Sequence, residues 1–129
     1  MVTCGEGVRD EAERLKEAGE YLKSHLLQAL ALELAEATAE FVHKRIRDAW
    51  GITDDPSLTL KQLFNADYHG IRVSFGYPAC PEINDQEKLF SLLKPEQIGV
   101  QLTEGFMMDP EASVSALVFH HPEGRYFAV

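Results

Sequence analysis

The sequence has few cysteines, no long apolar run and no basic N-terminal segment. The two cysteines among its 129 residues, Cys4 and Cys80, lie far apart, so neither a metal knuckle nor a disulfide framework is indicated. No apolar run reaches the roughly 18 residues of a membrane helix, and the start "MVTCGEGVRDE" lacks the basic and apolar regions of a secretory signal. We therefore expect a reduced, cytoplasmic protein with no metal site and no membrane contact.

Basic residues are also scarce. Lysine and arginine number 12 against 21 aspartates and glutamates, a formal net charge of −9. Because polyanion binding relies on a basic surface, we expect no nucleic-acid partner. The length is that of one domain at most, with a modest core.

The first part of the chain is rich in helix-forming residues. Residues 8 to 50 contain no proline, and only Gly19 interrupts them. The segment "LLQALALELAEATAEF" is apolar on more than one face, which predicts a long helix buried on most sides. We expect its core face to carry, at helical spacing, Leu30, Leu34, Ala37 and Phe41. Gly51 is the predicted stop.

The rest of the chain reads mainly as short helices and strands. "SLTLKQLF" and "DQEKLFSLLKPEQIG" are amphipathic, whereas "GIRVSF", "IGVQLTEGF", "SVSALVFHH" and "RYFAV" are strand-like. Long N-terminal helices followed by a twisted antiparallel β-meander define the class α+β. The long apolar helix needs more partners than these strands supply. This favours a fragment of a larger domain over a complete small protein, although both remain open.

The stretch "RVSFGYPACPE", residues 72 to 82, is unusually stiff. Pro78 and Pro81 cannot donate hydrogen bonds, and each pushes the preceding residue toward extended geometry. We expect a rigid, extended segment with free backbone groups, which is either a structural corner or a ligand wall. Gly76 permits close approach to the backbone. Tyr77 offers an aromatic face to a cation, or else packs into the core.

Other candidates each have an ordinary alternative. The planar fork of Arg72 suits a carboxylate or phosphate, but also an ordinary surface salt bridge. Glu36 shares a helix face with Glu33 and Glu40. This face is either part of a pocket or a solvated stripe that continues to His43, Lys44 and Arg47. Cys80 has no assignable base and reads better as a small buried side chain than as a nucleophile. The adjacent histidines 120 and 121 would point to opposite faces of a strand, so they form no metal pair.

These motifs together resemble the activation domain of cobalamin-dependent methionine synthase. The arginine followed by "GYPACP" is the most specific part. The segment "LTEGFMMDPEASVSALVFHHPEGRYFAV" resembles the family's closing strands, and "ALALELAEATAEFVHKRIRDAWG" its long helix. The resemblance covers essentially the whole chain and implies that residues 1–129 are the C-terminal part of such a domain.

The resemblance implies a function in reactivating oxidised cobalamin. Such a domain binds S-adenosylmethionine, whose methyl group, together with an electron from a flavodoxin-type donor, restores methylcobalamin. The cobalamin is carried by a partner domain of the same enzyme. By position, Arg72 matches the residue that pairs with the methionyl carboxylate, and Glu36 one near the sulfonium. Gly76, Tyr77 and Ala79 match the positions whose backbone lines the adenosine. Tyr126 matches a tyrosine near the sulfonium, and Phe127 matches the residue next to that tyrosine. No residue of this chain is expected to be catalytic in itself.

Two departures from the family pattern bear on this expectation. The early part of the domain, with an aspartate expected to hold the ligand's amino group, is absent, so affinity should suffer. The chain also has "INDQEK" where some members have a histidine-containing run. Two alternatives remain open: a stand-alone S-adenosylmethionine-binding module that docks on a separate corrinoid protein, and a thiol enzyme that uses Cys80.

Overall fold

Two consecutive helices occupy the N-terminal part of the computed structural model, which describes residues 1–121 and Gly124. Helix α1 spans Val8–Glu17, and the 29-residue helix α2 spans Tyr21–Ala49. The chain turns between them at Gly19, and α2 ends two residues before Gly51, so both predicted interruptions are confirmed. The two helices pack together, and Ser24 Oγ of α2 donates to the Ala12 carbonyl of α1 at 2.8 Å.

Short elements make up the rest of the described chain. The helices are α3 (Leu60–Phe64) and α4 (Gln86–Leu93), with single 3-10 turns at Ile83–Asp85 and Pro95–Ile98. The strands are β1 (Val2–Thr3), β2 (Ile71–Val73), β3 (Gln101–Leu102), β4 (Met108–Asp109), β5 (Ser113–Val114) and β6 (Leu117–Phe119). All their pairings are antiparallel, and the predicted α+β class is confirmed.

The strand pairings join distant parts of the sequence. Strand β1 pairs with β5 and β2 pairs with β6, whereas only β3 and β4 pair as neighbours along the chain. The connectivity is therefore less local than a simple meander. The predicted strand "RYFAV" lies outside the described residues.

The core of the described residues is built on small side chains of α2. Ala31, Ala35 and Ala39 are buried one turn apart and pack against Ala112 and Val114 at strand β5. Because an alanine projects only one methyl group, the strands can approach the helix closely at this line.

The core face predicted from the sequence is wrong for this chain. Leu30, Leu34 and Phe41 are 56%, 48% and 61% exposed, and Ala37 is exposed as well. The helix is apolar on several sides, so hydrophobicity alone could not say which side the strands cover. The short strands and α1 cover the alanine line and leave the leucine side in solvent. Among the described residues, no helix has the length and apolar character needed to cross a membrane.

The alanine line predicts an asymmetric response to enlargement. Ala35→Leu should lower the free energy of unfolding by ~1–3 kcal/mol, because added methylenes have no room in the contact with β5. Ala37→Leu, two residues away on the exposed side, should change it by less than ~0.5 kcal/mol. Urea unfolding of both variants measures this difference, and equal losses would show that the helix is covered on both sides.

Candidate ligand-binding site

Arg72 lies in the middle of strand β2, opposite Val118 of β6. The two strands meet closely at Gly70, where a Cβ atom would lie 2.9 Å from the Phe119 carbonyl oxygen. Only glycine fits there without displacing the backbone. This contact fixes where β2 starts, and therefore fixes the position of Arg72, whose side chain is 21% exposed.

Two glutamates of α2 face the Arg72 guanidinium. Glu36 Oε2 lies 3.5 Å from Nη1 of Arg72, and Glu40 Oε2 lies 3.8 Å from Nη2. The glutamates are one helical turn apart, so both reach the same side chain. The structure thus brings together Glu36 and Arg72, two of the predicted site residues. Glu33, which was grouped with them by spacing, is exposed.

Behind this pair lies Arg47. The solvated stripe expected from the sequence is wrong for Arg47 and His43, because both are buried. Arg47 is 1% exposed and forms two parallel hydrogen bonds to Asp54, Nε to Oδ1 and Nη2 to Oδ2, each 2.8 Å. Its Nη2 also lies 3.6 Å from Glu40 Oε1. The hydrogen bonds from Arg47 hold the pKa of Asp54 below its usual range. A guanidinium removed from water needs such a partner.

Tyr68 connects the buried arginine to the glutamates. The Arg47 Cζ atom lies 3.6 Å from the Tyr68 ring centroid, in cation–π geometry, and the Tyr68 hydroxyl donates to Glu40 Oε2 at 2.9 Å. Burial, and then the charge of Glu40, raise the pKa of Tyr68 to about 12. The hydroxyl is therefore protonated at neutral pH and remains a donor.

His43 is buried beside the two arginines. Its ring meets Tyr68 edge-on at 5.4 Å, and neither ring nitrogen has a hydrogen-bond partner among the described residues. Burial, and then the charges of Arg47 and Arg72, lower the pKa of His43 to about 4. The imidazole is therefore neutral at physiological pH. A cavity of about 50 Å³ has His43, Arg72 and Val118 among its lining residues.

The proline-rich segment folds differently from the sequence expectation. It is a compact turn, because the Cys80 amide donates to the Tyr77 carbonyl and the Gly76 amide donates to the Cys80 carbonyl, each at 2.8 Å. The predicted extended path with free backbone groups is thus wrong at these amides. Pro78 occupies the second position of the turn, where its fixed φ is favourable, and Gly76 has a φ of 82°, which favours glycine.

The turn leaves the side chain of Tyr77 exposed to solvent. Its side chain is 60% exposed, so it is not packed into the core, whereas Ala79 is half-buried. Gly76 follows Arg72 by four residues, so their Cα atoms are at most ~14 Å apart. Tyr126 and Phe127, the other predicted site residues, lie outside the described residues.

The remaining candidates do not form a catalytic or metal-binding cluster among the described residues. Cys80 is a half-buried free thiol whose amide belongs to the turn. His120 stacks on Trp50 with a centroid distance of 6.0 Å. Within residues 1–121 and Gly124, no three histidines, cysteines or carboxylates cluster as metal ligands.

Fold and site together define an α+β domain in which an arginine of β2 faces two carboxylates of α2, and in which a tyrosine-bearing turn follows β2 along the chain. A family model described as "Vitamin B12 dependent methionine synthase, activation domain" matches residues 1–129. The chain belongs to this family, and the resemblance seen in the sequence is confirmed.

The chain is similar to parts of longer proteins. It is 37% identical over 135 residues to methionine synthase of Mycobacterium tuberculosis and 36% identical over 136 residues to that of Mycobacterium leprae. Each match covers 100% of this chain and 11% of the relative. The crystal structure of the MetH reactivation domain bound to AdoHcy matches with a TM-score of 0.84 and 38% identity, over 94% of this chain and 38% of that one.

The buried ion pair predicts a large effect of removing its acid. Asp54→Ala should destabilise the fold by ~3–5 kcal/mol, because the Arg47 guanidinium is then left in the interior without its main partner. Asp55→Ala is the matched control: it removes only an exposed hydrogen bond to the Ser57 amide, worth ~0.5–1.5 kcal/mol. Chemical denaturation compares the two, and similar losses would contradict the assigned role of the pair.

The lowered pKa of His43 predicts a specific pH dependence of stability. The unfolded chain binds a proton at this residue near the ordinary value of 6.5, whereas the folded chain does so only near pH 4. Between these values the unfolded state holds more protons, so stability falls as the pH falls. The loss from pH 7.5 to pH 5 should be about 2 kcal/mol.

Denaturant melts across this pH range test the assignment. His43→Gln should flatten the dependence, and the same substitution at the exposed His25 should leave it unchanged. A profile of the same slope in His43→Gln would show that another group is responsible.

Proposed function

We propose that this chain is the C-terminal part of the activation domain of a cobalamin-dependent methionine synthase, where it binds S-adenosylmethionine. The observation that carries the proposal is the match to an AdoHcy-bound reactivation domain at 38% identity and a TM-score of 0.84. The arginine–glutamate pair and the proline-closed turn that follows β2 along the chain support it. S-Adenosylhomocysteine, the demethylated product of the methyl donor, is the natural probe of the same site.

Arg72 is the proposed anchor of the ligand's carboxylate. A guanidinium donates two parallel hydrogen bonds to a carboxylate. In the structure, Arg72 faces Glu36 at 3.5 Å, at the limit of hydrogen bonding, and the Glu36 side chain is 64% exposed. Such an exposed pair contributes under ~1 kcal/mol. A ligand carboxylate therefore displaces Glu36 at little cost, and Glu36 remains beside the ligand's positive end.

The turn is the proposed wall for the adenosyl group. The backbone of Gly76, Tyr77 and Ala79 is held by the two hydrogen bonds of the turn, so it loses little freedom on binding. The exposed ring of Tyr77 can face the sulfonium or stack on the base. Tyr126 and Phe127 complete the proposed site next to the sulfonium.

The chemistry of reactivation belongs to the assembled enzyme. Cobalamin would be held by a partner domain of the same enzyme, where it would supply the acceptor for the methyl group once a flavodoxin-type protein had reduced it by one electron. This chain binds the methyl donor and orients it, and none of its residues needs to transfer a proton. The proposal includes a cytoplasmic location. A part of methionine synthase is favoured over a stand-alone module, because the curated relatives are methionine synthases of which the chain spans only 11%.

Substitution of the anchor tests the proposal. Arg72→Lys keeps the charge but loses the planar fork. S-Adenosylhomocysteine binding should weaken by ~1.5–3 kcal/mol, the value of a hydrogen bond to a charged group, which is about 10- to 150-fold in Kd. Chemical-shift titration of the ¹⁵N-labelled chain detects this change even when the wild-type affinity is low.

Arg45→Lys is the matched control, since Arg45 is an exposed arginine of the same helix as Glu36. It should leave the Kd unchanged. The proposal fails if the wild-type chain shows no saturable shifts with millimolar S-adenosylhomocysteine. It also fails in its assignment of the anchor if Arg72→Lys binds as tightly as Arg45→Lys.

A further inference from the structure

The side chain of Arg72 has contacts outside its own strand, to carboxylates of helix α2. We propose that Tyr68 and Glu40 are positioning residues that fix the orientation of the Arg72 guanidinium and so prepare it for a ligand carboxylate. The first half of this statement concerns the chain alone, and the second half rests on the proposed function.

Glu40 is placed between two arginines. Its Oε1 lies 3.6 Å from Arg47 Nη2, and its Oε2 lies 3.8 Å from Arg72 Nη2. The same Oε2 accepts the hydroxyl hydrogen of Tyr68 at 2.9 Å. This hydrogen bond has ordinary length and restrains the carboxylate, which would otherwise be free to turn toward either guanidinium or toward solvent.

Tyr68 is itself anchored from behind. Its ring lies against the Arg47 guanidinium at 3.6 Å and meets the His43 ring edge-on. Arg47 in turn is fixed by its two hydrogen bonds to Asp54. A continuous set of contacts thus runs from the buried ion pair through the Tyr68–Glu40 pair to Arg72.

The distances separate the roles of the two glutamates. At 3.8 Å, Glu40 attracts Arg72 electrostatically but is too far to occupy one of its N–H donors. Those donors remain available to a ligand. Glu36 is more exposed, at 64% against 38% for the Glu40 side chain, and its carboxylate is the one a ligand can displace. Glu40 therefore orients the guanidinium both before and after binding.

A measurement without ligand tests the orientation. Tyr68→Phe removes only the hydroxyl and leaves the ring against Arg47. In ¹⁵N relaxation of arginine side chains, the Arg72 Nε order parameter should fall toward the values below ~0.6 that mark flexible groups. Tyr21→Phe, the same change at an exposed tyrosine near the start of α2, should leave it unchanged. The Arg72 signal is assigned by its loss in Arg72→Lys.

Two ligands test the consequence for binding. S-Adenosylhomocysteine carries the carboxylate, whereas 5′-methylthioadenosine has the same adenosyl thioether without it. Tyr68→Phe and Glu40→Gln should each raise the Kd of the first about 3- to 10-fold and leave that of the second unchanged. General damage to the fold would weaken both ligands equally and would overturn the positioning role.

The outcomes separate this inference from the proposed function. An unchanged Arg72 order parameter in Tyr68→Phe overturns the inference, even if the wild-type chain binds S-adenosylhomocysteine through Arg72. A lowered order parameter supports it. If the wild-type chain then binds no S-adenosylhomocysteine, the proposed function fails while the positioning of Arg72 by Tyr68 and Glu40 stands.

Discussion

The buried guanidinium of Arg47 is the constraint on which the site depends. A charge that is 1% exposed must be matched by an acid and by polarisable contacts, or the fold loses several kcal/mol. Asp54, in the loop after α2, supplies the acid, and Tyr68, just before β2, supplies the ring face. Both loop segments are thereby drawn to the same point of the helix. Since β2 begins three residues after Tyr68, this also restricts where Arg72 lies.

Helix α2 serves two functions along its length. Its alanine line allows β1 and β5 to pack closely, which forms the core of the described residues. On another side of the helix, Glu36 and Glu40 lie one turn apart and face Arg72 of β2. A single helix therefore sets the distance between the core strands and Arg72. Its leucine side is exposed in this chain, which spans 38% of the solved reactivation-domain chain it matches.

Much of the site could be found from the sequence because its parts are local. The stiff "GYPAC" segment and the arginine before it are neighbours along the chain; their residue types left a ligand wall and a structural corner both open, and the family resemblance favoured the ligand wall. The family resemblance assigned Arg72 and Glu36 to one site, and the contact between them was seen only in the structure. Arg47, Asp54 and Tyr68 were missed, although an arginine on a helix otherwise rich in alanine and leucine, seven residues before an aspartate, was the available signal. An arginine at such a position usually reaches solvent. Only its burial in the folded chain distinguishes a buried ion pair from an ordinary surface arginine.

The sequence by itself determined the α+β class, the helices with their ends at Gly19 and Gly51, and the position of the proline-rich turn. These depend on residue types that act over a few positions, through helix propensity, proline and glycine. The tertiary structure alone decided which side of α2 is core. It also closed the turn at Gly76 and Cys80, and it brought Tyr68 and Glu40 to Arg72. Those outcomes depend on which surfaces meet across distant segments, and a helix that is apolar on several sides carries no record of that choice.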